Sequence, residues 1–327
     1  MIDLLNRDYE LYISQFTQAI YPDKAKKVFT YIGPISFLFS SVMFILFLPF
    51  LFLFRRLQYG QFIVYIPVLH PWNLWLAICS RIFFCPLVLT VHEFQMHTGE
   101  RNRLLEFIQK VSIKLATKVV FLTQHEAKIA ESPLDKKYLI DHPITDLPEV
   151  KNINKRDSSF KVLFLGRVNA YKGLDLLQKS ATDLMSNDEI SISIAGKWSI
   201  EKIPFPKNTT VLDSYLKEEE MSRLLSEHDV LVLPYTEASQ SGIIALGIQS
   251  NTPMIVTKVG GLQEQLNSKE GLFIQPNSKE LTDAILALSS DQQLYKEYQF
   301  ALKAKKKNHN KYVGEQLNSL FDTLASS

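Results

Sequence analysis

The sequence predicts an α/β protein with two doubly wound, Rossmann-like domains, each built on a mostly parallel sheet. Short apolar runs alternate with amphipathic segments along most of the chain, which is typical of buried parallel strands covered by helices on both faces. A polar stretch without apolar periodicity, residues 148–159, interrupts this alternation once. The chain has 327 residues, which fits two domains of roughly 150 residues each.

Residues 1–150 are predicted to form the N-terminal domain. Strands are assigned where short continuous apolar runs end in polar or turn residues, and helices where apolar residues recur at helical spacing. The expected strands are 2–5, 27–32, 62–68, 87–91, 118–122 and 137–140. The expected helices are 9–20, an apolar helix at 35–54, 72–83, 103–115 and 124–130.

After a linker at 151–159, residues 160–305 are predicted to form the second domain. Its expected strands are 160–165, 190–195, 209–212, 230–233, 254–257 and 272–275, and its expected helices are 174–184, 217–227, 242–249 and 279–288. Residues 306–327 are expected to be a C-terminal basic segment followed by an amphipathic helix at 313–324. Two such domains place the carboxyl ends of their sheets across a cleft, where ligands bind.

Charge and cysteine content exclude some classes of function. The net charge of +2 gives no general electrostatic reason to bind nucleic acid, so any anion site must be local. Cys79 and Cys85 lie in an apolar stretch without nearby ligand-type residues and are predicted to be reduced core thiols. The first ten residues, MIDLLNRDYE, lack the pattern of a signal peptide, which predicts a cytoplasmic protein or one on the cytoplasmic face of a membrane.

The apolar helix leaves three placements open. Residues 32–54 contain no charged side chain and are long enough to span a bilayer. Pro49 interrupts the run, and basic residues flank both ends, so no orientation is specified. The helix could span a membrane, lie buried in the core, or lie against the membrane surface. The basic flanks are Lys24, Lys26, Lys27, Arg55 and Arg56.

The loop after the first strand of the second domain, GRVNAYKG at 166–173, suits an anion. Gly166 permits a tight turn, and Arg167 and Lys172 follow it at the carboxyl end of the strand. Arginine binds two phosphate oxygens at once and lysine supplies a point charge, a combination that suits a diphosphate. A solvated basic loop would give the same pattern.

Two further strand-end loops have related features. In PYTEASQSGIIALG, Ser239 or Ser241 can cap the following helix, and Gly242 lets a ligand approach its free N–H groups. Every helix of this kind needs a cap, so the serines alone do not indicate a ligand. In TKVGGLQE, Gly260 and Gly261 also permit close approach to the backbone before Glu264.

The segments LFLGRVNAYKGLDLL, DVLVLPY and SGIIALGIQSNTPMIVTKVGGLQE resemble the nucleotide-sugar domain of retaining glycosyltransferases of family 4. These enzymes have the GT-B fold, in which two Rossmann-like domains face each other across a cleft. The likeness runs in order through most of residues 160–287. The first half resembles the family more loosely, through TVHEF, FLTQHEAKI and DHPI.

The resemblance implies that Arg167 and Lys172 bind the donor diphosphate and that His92 lines the reaction centre. A histidine that merely caps a strand end is the alternative for His92. The family has two glutamates eight positions apart, and aligning its glycine on Gly242 puts them at Ser239 and Gly247, neither of which is acidic. The sugar and ribose contacts of those glutamates therefore cannot be carried over.

Two hypotheses follow from this departure. In one, a Gln-Ser-Gly version of the motif, which resembles a subset of bacterial polysaccharide enzymes, holds the donor. Gln240, Ser241 and the N–H groups of Gly242 and Ile243 would then contact sugar and phosphate, with Glu237 and Glu264 in support. In the other, the loop has decayed and the chain is a partner subunit. The first hypothesis is favoured because decay of the loop should also have removed Arg167, Lys172 and the glycines of the site, and all of these are present.

The predicted function is that of a metal-independent retaining hexosyltransferase with no cofactor beyond its nucleotide-sugar donor. The predicted acceptor is a lipid-linked or oligosaccharide glycan of a bacterial capsule or O-antigen pathway, and the predicted location is the inner face of the cell membrane. A non-catalytic GT-B partner and a GT-B nucleotide-sugar epimerase are the alternatives. The candidate catalytic residues are His92, Arg167, Lys172 and Glu237, and the candidate donor-binding residues are Gly166, Arg167, Lys172, Tyr215, Ser239, Gln240, Ser241, Gly242, Ile243, Gly260, Gly261 and Glu264.

Overall fold

The computed structural model describes residues 4–5, 8–14, 25–28, 31, 33–97, 101–130, 132–148 and 159–326. Within these residues the first domain has a parallel sheet with the order β3-β4-β5-β6. Its strands are β3 Val64–Ile66, β4 Leu87–Val91, β5 Lys118–Phe121 and β6 Lys137–Leu139. Its helices are α1 Pro34–Tyr59, α2 Asn73–Ile82, α3 Arg103–Leu115 and α4 Gln124–Ile129.

A separate pair of parallel strands precedes α1. The strands are β1 Leu11–Ser14 and β2 Ala25–Val28, with Leu11 opposite Ala25. The helix predicted at 9–20 is therefore wrong at Leu11–Ser14, because pairing with a distant strand overrides the local apolar spacing. Residues 15–20 of that prediction, residues 2–3 of the strand predicted at 2–5, residues 29–30 and 32 of the strand predicted at 27–32, and residues 151–158 of the predicted linker lie outside the described residues. Leu4 and Leu5 are not in a strand, so that prediction is wrong there: the Leu4 carbonyl accepts from the Asn318 side chain rather than from a neighbouring strand.

The second domain has a six-stranded parallel sheet with the order β12-β11-β10-β7-β8-β9. Its strands are β7 Phe160–Leu165, β8 Ile190–Ala195, β9 Thr209–Leu212, β10 Val230–Leu233, β11 Met254–Thr257 and β12 Leu272–Ile274. From β7 the chain adds β8 and β9 on one side of β7, then crosses back and adds β10, β11 and β12 on the other side. The carboxyl ends of β7 and β10 therefore flank a crevice at the switch point, where ligands bind in this type of sheet.

Helices cover both faces of this second sheet. They are α5 Leu174–Asp183, α6 Glu218–Glu227, α7 Gly242–Ser250, α8 Leu262–Gln265, α9 Ser278–Ser290 and α10 Gln292–Ala325. The strands of this sheet match the sequence prediction closely, and the central ones, such as Val230–Leu233, do so because they are continuous buried apolar runs. The edge strand Thr209–Leu212 is mostly exposed.

Helix α10 connects the two domains. Its first half packs into the core of the second domain through Tyr298 and Leu302. Its last turns, around Leu317 and Phe321, pack against the first domain's sheet residues Val88 and Val120. The basic run predicted as the start of a separate segment at 306 thus lies in the middle of one 34-residue helix. Lysine is a good helix former, so the basic composition does not break the helix.

Helix α1 lies on the surface of the first domain. Ser40, Leu48 and Phe52 form its buried stripe, which faces α2. The opposite face exposes large apolar side chains, such as Ile35 at 88% and Phe50 at 70%. The core placement considered from the sequence is therefore wrong. By length and composition, α1 is a helix that could cross a membrane.

Pro49 is accommodated inside α1 by a side chain of α2. Proline has no N–H group, so the carbonyl of Ile45, four residues earlier, loses its helical donor. The indole Nε1 of Trp75 donates a hydrogen bond to this Ile45 oxygen at 3.1 Å. The helix therefore continues through the proline while packing against α2.

Cys79 and Cys85 are free and buried beneath α1, as predicted, and burial raises the pKa of Cys79 to about 11.

Candidate functional site

The loops after β7 and β10 are packed together at the switch point. Gly173 has a φ of +68°, and a Cβ there would lie 1.8 Å from the Pro234 carbonyl oxygen. The Thr236 N–H donates to the Tyr171 carbonyl at 2.8 Å. Only glycine fits at 173, so this residue joins the basic turn at 166–173 to the loop that begins at Pro234.

Two cations lie in this basic turn. Arg167 is exposed directly after Gly166, whose φ is +110°. Lys172 places its Nζ 3.8 Å from the centre of the Tyr235 ring and 4.9 Å from that of Tyr171. Burial acts to lower the pKa of Lys172, but Tyr235, Tyr171 and the nearby Glu93 outweigh it and raise the pKa above its ordinary value. The ammonium is therefore held as a cation at the edge of the cleft.

The start of α7 presents a second group of donors. The Ser241 hydroxyl accepts from the Ile243 N–H at 3.3 Å and caps the helix, as the sequence predicts. Gln265 fixes this cap through both ends of its amide, accepting from the Ser241 N–H at 2.7 Å and donating to the Ser241 carbonyl at 3.1 Å. A Cβ on Gly242 would meet no heavy atom within 4 Å. The helix terminus is thus open to a ligand.

Gln240 carries an unsatisfied polar atom. Its Oε1 is buried and has no hydrogen-bond partner among the described residues. A buried amide oxygen without a donor costs about 1–3 kcal/mol, and a sugar hydroxyl is a suitable donor. The role of Gln240 in donor binding stays a prediction, and the structure adds that its Oε1 is left without a hydrogen bond from the described part of the chain.

The paired glycines of the third loop have a packing role. Gly260 has a φ of +48°, and a Cβ there would lie 1.7 Å from the Ala238 carbonyl oxygen. A Cβ on Gly261 would lie 2.1 Å from the Ser239 carbonyl oxygen. These glycines were predicted to admit a ligand. The structure instead explains both by contact between this loop and the loop before α7.

Two predicted donor-binding residues contact the other domain. Both carboxylate oxygens of Glu264 accept backbone N–H groups at the start of α4, from Gln124 and from His125, the latter at 2.8 Å. The Ser239 carbonyl accepts from the Thr123 hydroxyl at 3.2 Å. Ser239 is 3% exposed. In this conformation, Glu264 and Ser239 join the two domains at the base of the cleft.

Glu126 is a further residue of this contact, and sequence reasoning did not identify it. It is buried, accepts from the Phe94 N–H, and receives a hydrogen bond from the Ser239 side chain. Burial raises the pKa of its carboxyl group, partly offset by these donors. The spacing of Thr123 and Glu126 matches a capping box, which is the signal available in the sequence, but the carboxylate instead reaches other segments.

His92 lies within the first domain, at the end of β4. Its Nε2 is 2.9 Å from the Pro67 carbonyl oxygen, and burial lowers its pKa. It also lies near His142, whose pKa falls to about 4 mainly through burial. The described contacts of His92 thus tie it to its own domain.

His97, five residues further on, reaches the second domain. Its ring stacks on Tyr171 with 4.3 Å between centroids. Its Nε2 lies 3.7 Å from Glu93 Oε1, and its Nδ1 lies 3.8 Å from Glu237 Oε2. The sequence contains this histidine in a loop after a strand, but nothing local distinguishes it from a surface residue. Glu237, predicted as catalytic, is thereby placed beside the basic turn.

Tyr215 lies in the loop after the edge strand β9. Its side chain is 82% exposed. The strand order β7-β8-β9 separates this loop from the basic turn by two strand spacings, about 10 Å. This places Tyr215 on the same edge of the sheet as the basic turn.

Comparison with known proteins agrees with this geometry. Residues 159–291 match a family model described as glycosyl transferases group 1. An uncharacterized glycosyltransferase from Methanocaldococcus jannaschii is 25% identical over 137 residues, covering 39% of this chain and 35% of the relative. The match therefore spans about a third of that relative's length. Both matches support a glycosyltransferase.

Three solved structures match between 80% and 99% of the chain. Sucrose-phosphate synthase from Thermosynechococcus elongatus has a TM-score of 0.68 at 17% identity, covering 99% of this chain and 88% of the other. HepE from Anabaena, in complex with UDP, has a TM-score of 0.67 at 15% identity, covering 93% and 86%. HepE in complex with UDP-glucose has a TM-score of 0.62 at 16% identity, covering 80% and 79%. The chain has the GT-B fold of two Rossmann-like domains, which confirms the predicted fold class.

Proposed function

We propose that this protein is a retaining, metal-independent hexosyltransferase of family 4 that uses a nucleotide-diphosphate sugar. The carrying observation is the placement of Lys172 and the open start of α7 on the two sides of the switch point. The binding of UDP and UDP-glucose by HepE, a protein of the same fold, supports a nucleotide-sugar donor here.

The proposed chemistry requires stabilisation of a leaving diphosphate. Arg167, Lys172 and the N–H groups at Gly242 and Ile243 would bind its oxygens as the bond from sugar C1 to the diphosphate breaks. An acceptor hydroxyl would attack C1 from the same face and pass its proton to a diphosphate oxygen. These basic groups would take the place of a metal ion.

The donor sugar would be held without the paired glutamates of the family. The unsatisfied Oε1 of Gln240 would accept a sugar hydroxyl, and the half-exposed Glu237 would accept another. Tyr215 would lie toward the nucleoside end of the donor.

The acceptor would be a lipid-linked glycan in bacterial polysaccharide biosynthesis, at the inner face of the cell membrane. Helix α1 supports this proposal because its outward face exposes a continuous apolar surface. Its inner stripe contacts the first domain from Ser40 to Phe52, so we propose that α1 lies in the membrane surface rather than crosses it. Each basic residue near anionic headgroups would add about 1 kcal/mol.

A panel of nucleotides and nucleotide sugars in a thermal-shift assay tests the donor proposal. A ligand that binds only the folded state raises the unfolding temperature. We expect UDP or another nucleoside diphosphate to do so, and we expect Arg167→Ala to abolish the shift. Arg223→Ala, an exposed arginine of α6, is the matched control. No shift with any member of the panel would contradict the proposal.

One observation favours a second candidate, a non-catalytic GT-B partner. Ser239, at the position where the family has a glutamate, is buried in the domain contact. Such a partner would be stabilised by nucleotides but would neither hydrolyse nor transfer any donor sugar. An epimerase would share the donor site but would have no use for the apolar face of α1.

A further inference from the structure

His97 of the first domain is fixed against the basic turn of the second. The residue is 7% exposed, and its ring stacks on Tyr171 at an interplanar angle of 30°. The Tyr171 carbonyl in turn accepts from the N–H and the hydroxyl of Thr236, which precedes Glu237. The imidazole therefore sits on a surface made by both loops of the switch point.

The two ring nitrogens of His97 face carboxylates from different domains. Nε2 faces Glu93, which follows β4, and Nδ1 faces Glu237, which follows β10. Both distances, 3.7 and 3.8 Å, are longer than ordinary hydrogen bonds, and the two contacts are ion pairs when the imidazole is protonated. Glu93 also acts on Lys172 electrostatically. Glu93 thus lies between His97 and Lys172 electrostatically, and Glu237 lies on the other side of the His97 ring.

Glu237 needs such a partner to act on a ligand. Its side chain is 50% exposed on a loop, and an exposed glutamate loses rotamer entropy when it is held in one position. Ser239, the nearest equivalent of the family's glutamate, is committed to Thr123 and Glu126. Glu237 is therefore the carboxylate of this loop that a sugar could reach.

We propose that His97 is a positioning residue that holds the Glu237 carboxylate in place for the donor sugar. The proposal rests on the proposed function, because it assigns a role within the same site. It places a determinant of sugar binding on the first domain, so the sugar is bound tightly only when the two domains are in contact. The diphosphate, in contrast, is bound by residues of the second domain and does not need His97.

This difference provides the test. Affinities of UDP, UDP-glucose, GDP and GDP-mannose are measured by calorimetry for the wild type, His97→Gln, His97→Ala, Glu237→Gln and the double variant His97→Ala/Glu237→Gln. We expect each His97 variant to bind the nucleoside diphosphate as the wild type does and to lose roughly tenfold in affinity for the nucleotide sugar, about 1.4 kcal/mol. The double variant should lose no more than Glu237→Gln alone, because the two residues act through one contact.

His228→Gln is the matched control. His228 is 8% exposed, but its Nδ1 contacts the Leu224 carbonyl at the end of α6, away from the cleft. Unchanged sugar affinity in both His97 variants would overturn the positioning role while leaving the donor proposal intact. Equal loss of diphosphate and sugar affinity would show that His97 only maintains the shape of the cleft. No binding of any of these four ligands by the wild type would instead contradict the donor proposal itself, and this inference with it.

Discussion

The carboxylate of Glu264 in the second domain caps α4 of the first domain, with 2.8 Å between its Oε1 and the backbone nitrogen of His125. The other oxygen accepts from the Gln124 N–H. The first N–H groups of a helix have no intrahelical partner. The cap of α4 is therefore completed only when the two domains meet.

Removing this cap should weaken the contact between the domains. We expect Glu264→Ala to lower the free energy of unfolding by about 1–2 kcal/mol, because it leaves two N–H groups without their acceptor. Glu264→Gln should cost less, since its amide oxygen can still accept. Urea unfolding measures both changes. Glu219→Ala, on the exposed face of α6, is the control, and an equal effect of the two alanine variants would contradict the capping role.

Two glycines of the site should respond in opposite ways to alanine. Gly242→Ala should leave the unfolding temperature nearly unchanged, because a Cβ there meets no atom within 4 Å, but its methyl group should weaken nucleotide binding. Gly260→Ala should destabilise the fold by more than about 2 kcal/mol, through its positive φ and its clash with Ala238. Thermal unfolding with and without UDP separates the two effects. A destabilised Gly242→Ala that still binds nucleotide would refute this assignment.

Stability should fall in mild acid through His142. Its pKa is about 4 in the folded protein, mainly because burial disfavours the charged form, against an ordinary value of 6.5. The unfolded chain thus binds the proton more readily, so this stabilisation is present above pH 6.5 and is lost as the pH falls toward 4. The lost contribution is about 3 kcal/mol.

His142→Gln should flatten this part of the pH dependence. Urea unfolding at a series of pH values between 7 and 4 provides the measurement. His92 lies close to His142 and also has a pKa lowered by burial. The free energy of unfolding of His142→Gln should therefore still fall with decreasing pH, but less steeply than that of the wild type. His125→Gln is the control, and an unchanged slope in His142→Gln would remove His142 from this explanation.

The exposed face of α1 should carry membrane attachment. We expect the wild type to float with anionic liposomes and the variant Leu46→Glu/Phe50→Glu to remain in solution, because charged groups on this face cannot enter the acyl region. Phe300→Glu changes a similarly exposed aromatic residue on α10 and should float as the wild type does. A wild type that stays monodisperse without detergent and does not float would exclude attachment through α1.

The sequence by itself determined most strands of the two domain sheets and the position of the loops that follow β7 and β10. Residues 162–165 of β7 and the strand Val230–Leu233 are continuous buried apolar runs, and such runs are visible in the local sequence. The basic turn and the cap at Ser241 are also local, because glycines, cations and capping serines act within a few residues of themselves.

Only the tertiary structure decided which side chains meet across the cleft. Glu264 and its partner His125 are 139 positions apart in the chain, and His97 and its partner Glu237 are 140 positions apart. No periodic pattern in the sequence encodes such contacts. The same reason explains the pairing of β1 with β2 and the return of α10 to the first domain. Apolar composition made α1 conspicuous, but only packing against α2 decided which face is buried and which is exposed.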